Sequence, residues 1–532
     1  KGAVSPLRKL LSSPDRTVAM VSAEALGRIG DSRALQSLER AAARSEGAVH
    51  RAEIDSITIC ANRLLEAGKG KDALKIFDRL YQTEKSDPIR VAAFRGVLLA
   101  SGSRGIARMR DAIVSGDGPA QSAALIVAAQ WPQDPTLTRS LADLLPTSSV
   151  PVQLALIQCL MQRGDPGAMS SVAKLVESTD TGVSVAAISA LGRLGDDSVV
   201  SLLAEQAASD SKAKRDAARE SLIDLNRGPV TEQMLAALKT SPSTEKADLM
   251  RALAERRDRA ALPVLMDIAQ NGNEAERAAA FQALGELADA SEIPRLVQCV
   301  TEARSDDIRS GAADALNSVL MRVQSPGAAL DLSSFVTTVK TGRTDARLAL
   351  LPVCSDVAQD SVREALRAAA ADSDSNIREA GIHALCDTKD AELLPDLIKF
   401  AQDTNQPGPQ LLAIRGCVRL TTQEDTIHLP NSQKLSTFKA ILETPLSQQE
   451  KQLVLSGLGT VADLQALDIA EKMLDDSSVH AEAERAVIQI ATAIAKPHPK
   501  KARAALKKIS EETSDEDTRK SAEAELKKIK SK

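Results

Sequence analysis

Apolar positions in this chain keep a register. Leu160, Leu191, Leu222, Leu253 and Leu284 stand 31 residues apart, and Leu316 follows after 32. The text around them repeats as well: Ala25-Leu26-Gly27-Arg28-Ile29-Gly30-Asp31, Ala190-Leu191-Gly192-Arg193-Leu194-Gly195-Asp196, Ala283-Leu284-Gly285-Glu286-Leu287-Ala288-Asp289. A fixed period of this length predicts a stack of small units, each touching only its neighbours. The register passes Ala25, Ala61, Gly96, Ala128, Cys159, Ala190, Ser221, Ala252, Ala283 and Ala315, then Leu350, Ala384, Gly416, Ser456 and Ile488, with a weak last copy at Ala524. One period holds two helices of about 12 residues and two short turns. The predicted fold class is therefore all-α: a right-handed α–α superhelix of about fifteen helical-hairpin repeats.

The unit around Leu191 shows the grammar. Asp165-Pro166 reads as an N-cap followed by proline at the first helical position. Met169, Val172 and Leu175 follow at helical spacing. Ser178 to Gly182 is a turn, and a second helix runs from about Val183 to Leu194 with Val185, Ile188, Leu191 and Leu194 on one stripe. Gly195 is expected to be a left-handed helix terminator, with Asp196 capping the next unit. Gly27, Gly192 and Gly285 fall inside helices at one phase, which predicts a neighbouring helix packed directly over them. Pro263, Pro294 and Pro395 each lie ten residues after a register leucine, and are expected to kink a helix at the same place in several units.

The period stretches twice, near 324–343 around Ser325-Pro326-Gly327, and near 423–434, where Ile427-His428-Leu429-Pro430-Asn431 reads as an extended loop. The expected organisation is a repeat array over 1–423, an insertion loop over 424–434, and C-terminal repeats with a polar cap over 435–532.

Composition agrees with close-packed helices. Hydrophobic residues make up 43%, but aromatics only 2%, with Trp131 and Tyr81 the single examples of their kinds. The apolar mass is aliphatic, and alanine is the strongest helix former. Net charge is −5. The N-terminal stretch is basic, the middle acidic, and the end basic again at Lys527-Lys528-Ile529-Lys530-Ser531-Lys532. Six cysteines are scattered with no metal-type spacing, so they read as small buried hydrophobes. No apolar run is long enough for a transmembrane helix. The chain starts at Lys1 without methionine, which reads as a processed or truncated start.

Catalytic chemistry finds little to work with. The five histidines (His50, His383, His428, His480, His498) fall in different units without ligand spacing. Gly68-Lys69-Gly70-Lys71 lacks the flanking pattern of a phosphate loop, and no nucleophile elbow occurs. Asp196-Asp197, Asp306-Asp307 and Asp475-Asp476 sit at predicted turns, where capping accounts for them. Arg8, Lys9, Arg16, Arg28, Arg33, Arg40, Arg44, Arg51 and Arg63 make the first two units basic. Without aromatics to stack bases, that charge does not read as a nucleic-acid groove. No catalytic, cofactor-binding or metal-binding residue is assigned, and no cofactor is expected.

The string Val185 to Asp196 resembles the HEAT-like repeat, including its bilin-lyase-type variant. Asp87-Pro88-Ile89-Arg90, Asp306-Asp307-Ile308-Arg309 and Asp374-Ser375-Asn376-Ile377-Arg378 are similar to that family's ladder, in which a second-helix arginine bonds an aspartate in an adjacent turn. Residues 60–100 further resemble large alanine-rich bacterial HEAT proteins that are mostly exported, some fused to sugar-processing domains. The resemblance implies a non-catalytic scaffold or adaptor in a periplasmic or extracellular setting, with a cytoplasmic one as the alternative. It implies another protein, or a second copy, as partner, and a carbohydrate or carbohydrate-active enzyme as a further one. The alternative functions are a self-assembling filament or surface-layer protomer, or an accessory subunit of a carbohydrate-processing complex. The inner surface is expected to be lined by second helices, with Arg16, Arg28, Arg63, Arg90, Arg95, Arg193 and Glu286 as candidate partner-binding residues.

Overall fold

The computed structural model describes residues 3–115, 117–324, 330–405, 407–423 and 429–529. Among these residues there are 32 α-helices, joined by turns and short 3-10 segments, and no strand. The helices pair in chain order into sixteen hairpins. The first hairpin joins Val4–Leu10 to Arg16–Ile29, the second Ser32–Ala42 to Gly47–Glu66, and the third Gly70–Thr83 to Asp87–Ala100. Every register position from Ala25 to Ala524 lies in the second helix of its hairpin. The weak copy at Ala524 is a complete hairpin, so the described residues hold one hairpin more than about fifteen; its second helix, Glu516–Lys528, buries only Ala522.

Contacts divide the chain into two compact units, Lys1–Arg256 and Arg257–Lys532, each holding eight hairpins. Of the expected insertion loop over 424–434, residues 424–428 (with His428) lie outside the described residues; Asn431 already opens the helix Asn431–Leu442. Ser325-Pro326-Gly327 and the last lysines, Lys530 and Lys532, also lie outside them.

The leucine register is the core. Leu160, Leu191, Leu222, Leu253, Leu284 and Leu316 are fully buried, each stabilising the stack by about 1.5–3 kcal/mol relative to exposure. Between consecutive second helices the backbones nearly touch. A Cβ added to Gly27 would stand 2.9 Å from the Cα of Ser56, and one added to Gly192 would stand 2.9 Å from the Cα of Ser221. Gly285 is less tightly covered, with 3.2 Å to the Cβ of Ser318 and 3.5 Å to the Cα of Ala315. Gly96 takes the register position of its hairpin because the Phe77 ring fills the space a methyl group would need.

Local geometry departs from the sequence expectation at three points. Gly195 is extended (φ −74°, ψ 166°); left-handed glycines end other helices, as at Gly30 and Gly164, which bond back to Leu26 and Leu160. Val199 and Leu225 crowd Gly195, so this glycine serves space, not backbone handedness. The first helix of the Leu191 unit is broken into Pro166–Ala168 (3-10), Met169–Ala173 (α) and Lys174–Glu177 (3-10). Its buried stripe is Ala168, Val172 and Val176, while Met169 and Leu175 are half-buried. Pro263, Pro294 and Pro395 do not kink helix interiors. Each sits at the second residue of an α-helix that follows a 3-10 turn, in Leu262–Asn271, Ile293–Glu302 and Leu394–Gln402. The missing N–H falls there in a first turn, where it costs little.

Three kinds of side-chain bond hold the stack. The first closes a hairpin on itself. A donor near the start of the second helix reaches the last carbonyls of the first helix or its turn: Gln121 to Ile113 (2.8 Å), Gln153 to Leu145 (2.9 Å), Arg277 to Gly272 (3.0 Å), Arg347 to Val339 (2.8 Å), Gln410 to Ala401 (3.1 Å). His50, Arg90, Ser184, Arg215, Arg309, Arg378, His480 and Arg519 occupy the same place, so thirteen of the sixteen described hairpins are stapled. These carbonyls would otherwise be orphaned at a helix end.

The second kind reaches forward to the next hairpin: Arg90 to Asp117 (2.9 Å), Arg219 to Asp248 (2.7 Å), Arg309 to Asp345 (2.8 Å), Arg347 to Asp372 (2.5 Å) and Lys451 to Asp476 (2.6 Å). Arg378 differs: it bonds the carbonyls of Asp372 and Ser373 within its own hairpin. The third kind reaches back. Arg163 donates to Ala128 (2.6 Å), Trp131 (3.1 Å) and Pro132 (3.4 Å). Arg256 does so to Ile223 and Leu225, Arg322 to Gly285 and Ala288, and Arg419 to Cys386 and Thr388. A guanidinium there satisfies free carbonyls and complements the negative helix end.

The forward ladder makes stability acid-sensitive. Lys451 and the Ser478 hydroxyl hold the Asp476 carboxyl down at about 2. Arg347, with the Asp374 amide, lowers Asp372. A depressed folded value stabilises the fold above the unfolded pKa near 3.9 and stops doing so as pH falls through the folded value. We expect the thermal midpoint of the chain to fall between pH 4 and about pH 2, with a shallower fall in Asp476→Asn, as read by circular dichroism melts.

All six cysteines are free and buried. Burial pushes the Cys60 and Cys159 thiols up to about 11 and Cys386 up to about 12. Reactivity needs the thiolate. A thiol-specific disulfide reagent at pH 8 should therefore titrate none of the six within minutes in the native protein, and all six in denaturant.

Candidate binding surface

What the stack leaves open is decided by which helix faces it consumes. Second helices use one face for the core and one for the neighbouring hairpin, and a third stays in solvent. Seven of the ten exposed large hydrophobic side chains among the described residues lie on second helices of the first five hairpins: Val18, Val21, Ile59, Leu99, Ile126, Val150 and Leu154. Val21 is 58% and Leu99 45% exposed. In the Arg257–Lys532 unit the only such residue is Met321. Exposed aliphatics carry no structural benefit where they stand, and their gathering on one class of helix marks a surface suited to a partner.

The seven candidate residues divide into two groups. Arg16, Arg28, Arg63 and Arg193 are exposed on second helices of the first unit. Arg28 pairs with Glu24 at 2.6 Å and Arg63 donates to the Arg28 carbonyl, so these two also join hairpins one and two. Glu286 is exposed in the second unit, where Gln282 lies 3.5 Å away. Arg90 and Arg95 are half-buried. Arg90 stacks over the Tyr81 ring at 4.8 Å, bonds Asp117, and staples its own hairpin, and the Arg95 Nε is enclosed without a partner. The exposed aliphatics and the staples both escaped sequence reading. The aliphatics fit the helical stripe as well as core residues do. The staples have a visible signal in nine of the thirteen hairpins, an Arg or Gln five to seven residues before the register position.

Clefts open between neighbouring hairpins at the end where first helices turn into second helices. One of about 310 Å³ lies between hairpins one and two and is lined by Arg8, Arg40, Arg44 and Glu53. Another of about 310 Å³ follows between hairpins two and three, and one of about 440 Å³ is lined by Arg277, Gln270 and Cys299 in the second unit. Among the described residues no group of three His, Cys, Asp or Glu side chains could hold a metal ion. His50 pairs with Glu84 (3.2 Å) and lies near Glu53, and His480 pairs with Glu484 (3.4 Å). No helix of the described residues is long and apolar enough to cross a membrane.

The family model for HEAT repeats matches residues 1–58, 138–223 and 231–317. No curated protein matches the sequence. Among solved structures, Kap121p is 12% identical, with 98% of this chain and 68% of that chain covered and a TM-score of 0.38. Kap121p bound to Nup53p gives 11%, 98%, 69% and 0.40. Importin beta in an ammonium sulfate condition gives 13%, 98%, 83% and 0.32.

Proposed function

We propose that this chain is a non-catalytic scaffold that holds a protein partner on the second-helix face of its Lys1–Arg256 unit. The observation that carries this reading is the concentration of exposed Val18, Val21, Ile59, Leu99, Ile126, Val150 and Leu154 on that face. Apolar anchors would supply the binding energy, and Arg16, Arg28, Arg63 and Arg193 around them would set orientation and encounter rate. A partner spread over five hairpins engages each weakly and binds through their sum. The chemistry of the face suits a partner surface with its own aliphatic anchors and a carboxylate rim.

The test is a paired substitution in the full chain. Val21→Asp with Ile126→Asp should reduce the amount of partner captured from extracts of the native source by about tenfold or more. Val114→Asp, on the first helix Gly105–Ser115 and also well exposed, should leave capture unchanged. Equal capture by all three proteins removes this reading. If the captured protein is the chain itself, the partner is a second copy. By resemblance, the setting we propose is periplasmic or extracellular, and fractionation of source cells decides it.

A further inference from the structure

The helix Gly47–Glu66 carries a carboxyl group in its packed face. Glu53 is fully buried, one turn before Ser56, where the backbone of hairpin two meets Gly27 of hairpin one. Its Oε2 accepts from the Ser45 hydroxyl, and its Oε1 has no hydrogen-bond partner. The charges around it do not compensate. Arg8 from Val4–Leu10, with Arg40 and Arg44 from Ser32–Ala42 and the turn after it, line the cleft beside it. All three are exposed, and none bonds Glu53 among the described residues. On the other packed helices, Arg28 is taken by Glu24 and Arg79 by Glu39. On its own helix Arg51 and Asp55 are exposed. His50, the one nearby charge that acts on it, bonds the Ala42 carbonyl and Glu84.

We propose that Glu53 is a proton-operated latch between hairpins one and two: neutral, it lets their second helices pack; ionised, it loosens them. A neutral carboxyl in this place leaves one polar hydrogen without an acceptor. A carboxylate leaves a buried charge with a single donor, which costs more. Burial raises the Glu53 carboxyl above the ordinary glutamate range, and Ser45 and His50 reverse only part of this. A raised folded value gives stability that is whole below the unfolded pKa of about 4.3 and is lost as pH rises through the folded one. The sign is opposite to that of the aspartate ladder, which fails in acid. Hairpin one depends on this junction, because among the described residues it packs chiefly on hairpin two. The latch does not rest on the proposed scaffold role.

Amide exchange of the full chain, read by mass spectrometry at about pH 5 and about pH 8.5 with E53Q as the comparison, tests it. Between the two conditions, protection in Arg16–Ile29 and Gly47–Glu66 should fall about threefold or more further in the unaltered chain than in E53Q. Hairpins beyond Asp87–Ala100 should not distinguish the two proteins. E53M keeps the stem, removes every polar atom, and provides the same comparison if E53Q does not fold. Failure of both variants to fold overturns the proposal, because a neutral side chain is what the packed junction accepts. Parallel changes with pH in the unaltered chain and the variants overturn it as well. So does a difference spread evenly over Lys1–Arg256, which would make Glu53 a general contributor to stability and not a latch at one junction.

Discussion

Gly192→Val should lower the stability of the Lys1–Arg256 unit by about 3 kcal/mol, at the upper end of what overpacking costs. The neighbouring atom is the backbone Cα of Ser221, 2.9 Å from where a Cβ would sit, so no rotamer change can make room. The second helices Thr181–Leu194 and Lys212–Asp224 must separate. That separation also stretches the bond from the Ser221 hydroxyl to the Ile188 carbonyl, now 2.9 Å. Valine is a better helix residue than glycine by a few tenths of a kcal/mol, too little to offset this. Gly192→Ala should lie between the two, since one methyl asks for a smaller shift. Urea titration followed by circular dichroism reads the effect. A midpoint for Gly192→Val equal to that of the unaltered protein would refute the close approach.

Arg163→Met should be comparably damaging for the opposite reason, an interaction lost instead of a clash gained. Arg163 is only 5% exposed and donates to the carbonyls of Ala128, Trp131 and Pro132. Methionine keeps much of the aliphatic stem and removes every donor. The Ala128 carbonyl keeps the Trp131 N–H, but those of Trp131 and Pro132 lose their donor; at about 1–3 kcal/mol each, about 3 kcal/mol for the pair is expected, allowing for water reaching one of them. Arg163→Lys should recover part of this, because one ammonium cannot span three acceptors. In a stack whose units couple mainly to neighbours, with the longer reach of Arg227 to the Gly164 carbonyl (2.7 Å) beside them, weakening one junction also loosens cooperativity. Amide exchange should therefore accelerate most in the hairpins that meet at this junction. Uniform acceleration across the unit would argue against a local role.

The sequence carries the stack because its signal is repeated. Any one of Ala25, Ala190 or Ala283 is weak evidence, but a shared phase can only be satisfied by one face of one helix per unit. Gly27, Gly192 and Gly285 were legible for the same reason, since a helix-breaking residue kept at one phase implies contact. What could not be read depended on atoms outside the helix in question. The alternation of 3-10 and α segments in 166–177 is lost to a periodicity that averages over both. Gly164 and Gly195 look alike in sequence, and only what surrounds them separates a left-handed terminator from an extended one. The binding surface was the least legible part. Arginines suggest themselves as surface residues, yet Arg90 spends its hydrogen bonds on Tyr81 and Asp117. Val21 and Ile126 carry the same apolar signal as Leu26 and Val127, and only the packed stack shows which of them is covered.

The bond that closes most of the hairpins on themselves spans a short stretch of chain, as in Gln121 to Ile113 or Gln153 to Leu145. Both donor and acceptor therefore travel together when the encoding segment is duplicated or deleted. A copied segment arrives with its own helix-end carbonyls already satisfied, and needs from its new neighbours only a matching apolar flank and an aspartate or carbonyl to grip. Array length is thus free to drift over generations while the chain keeps folding, and a surface assembled from such segments can be lengthened, shortened or re-lettered one period at a time.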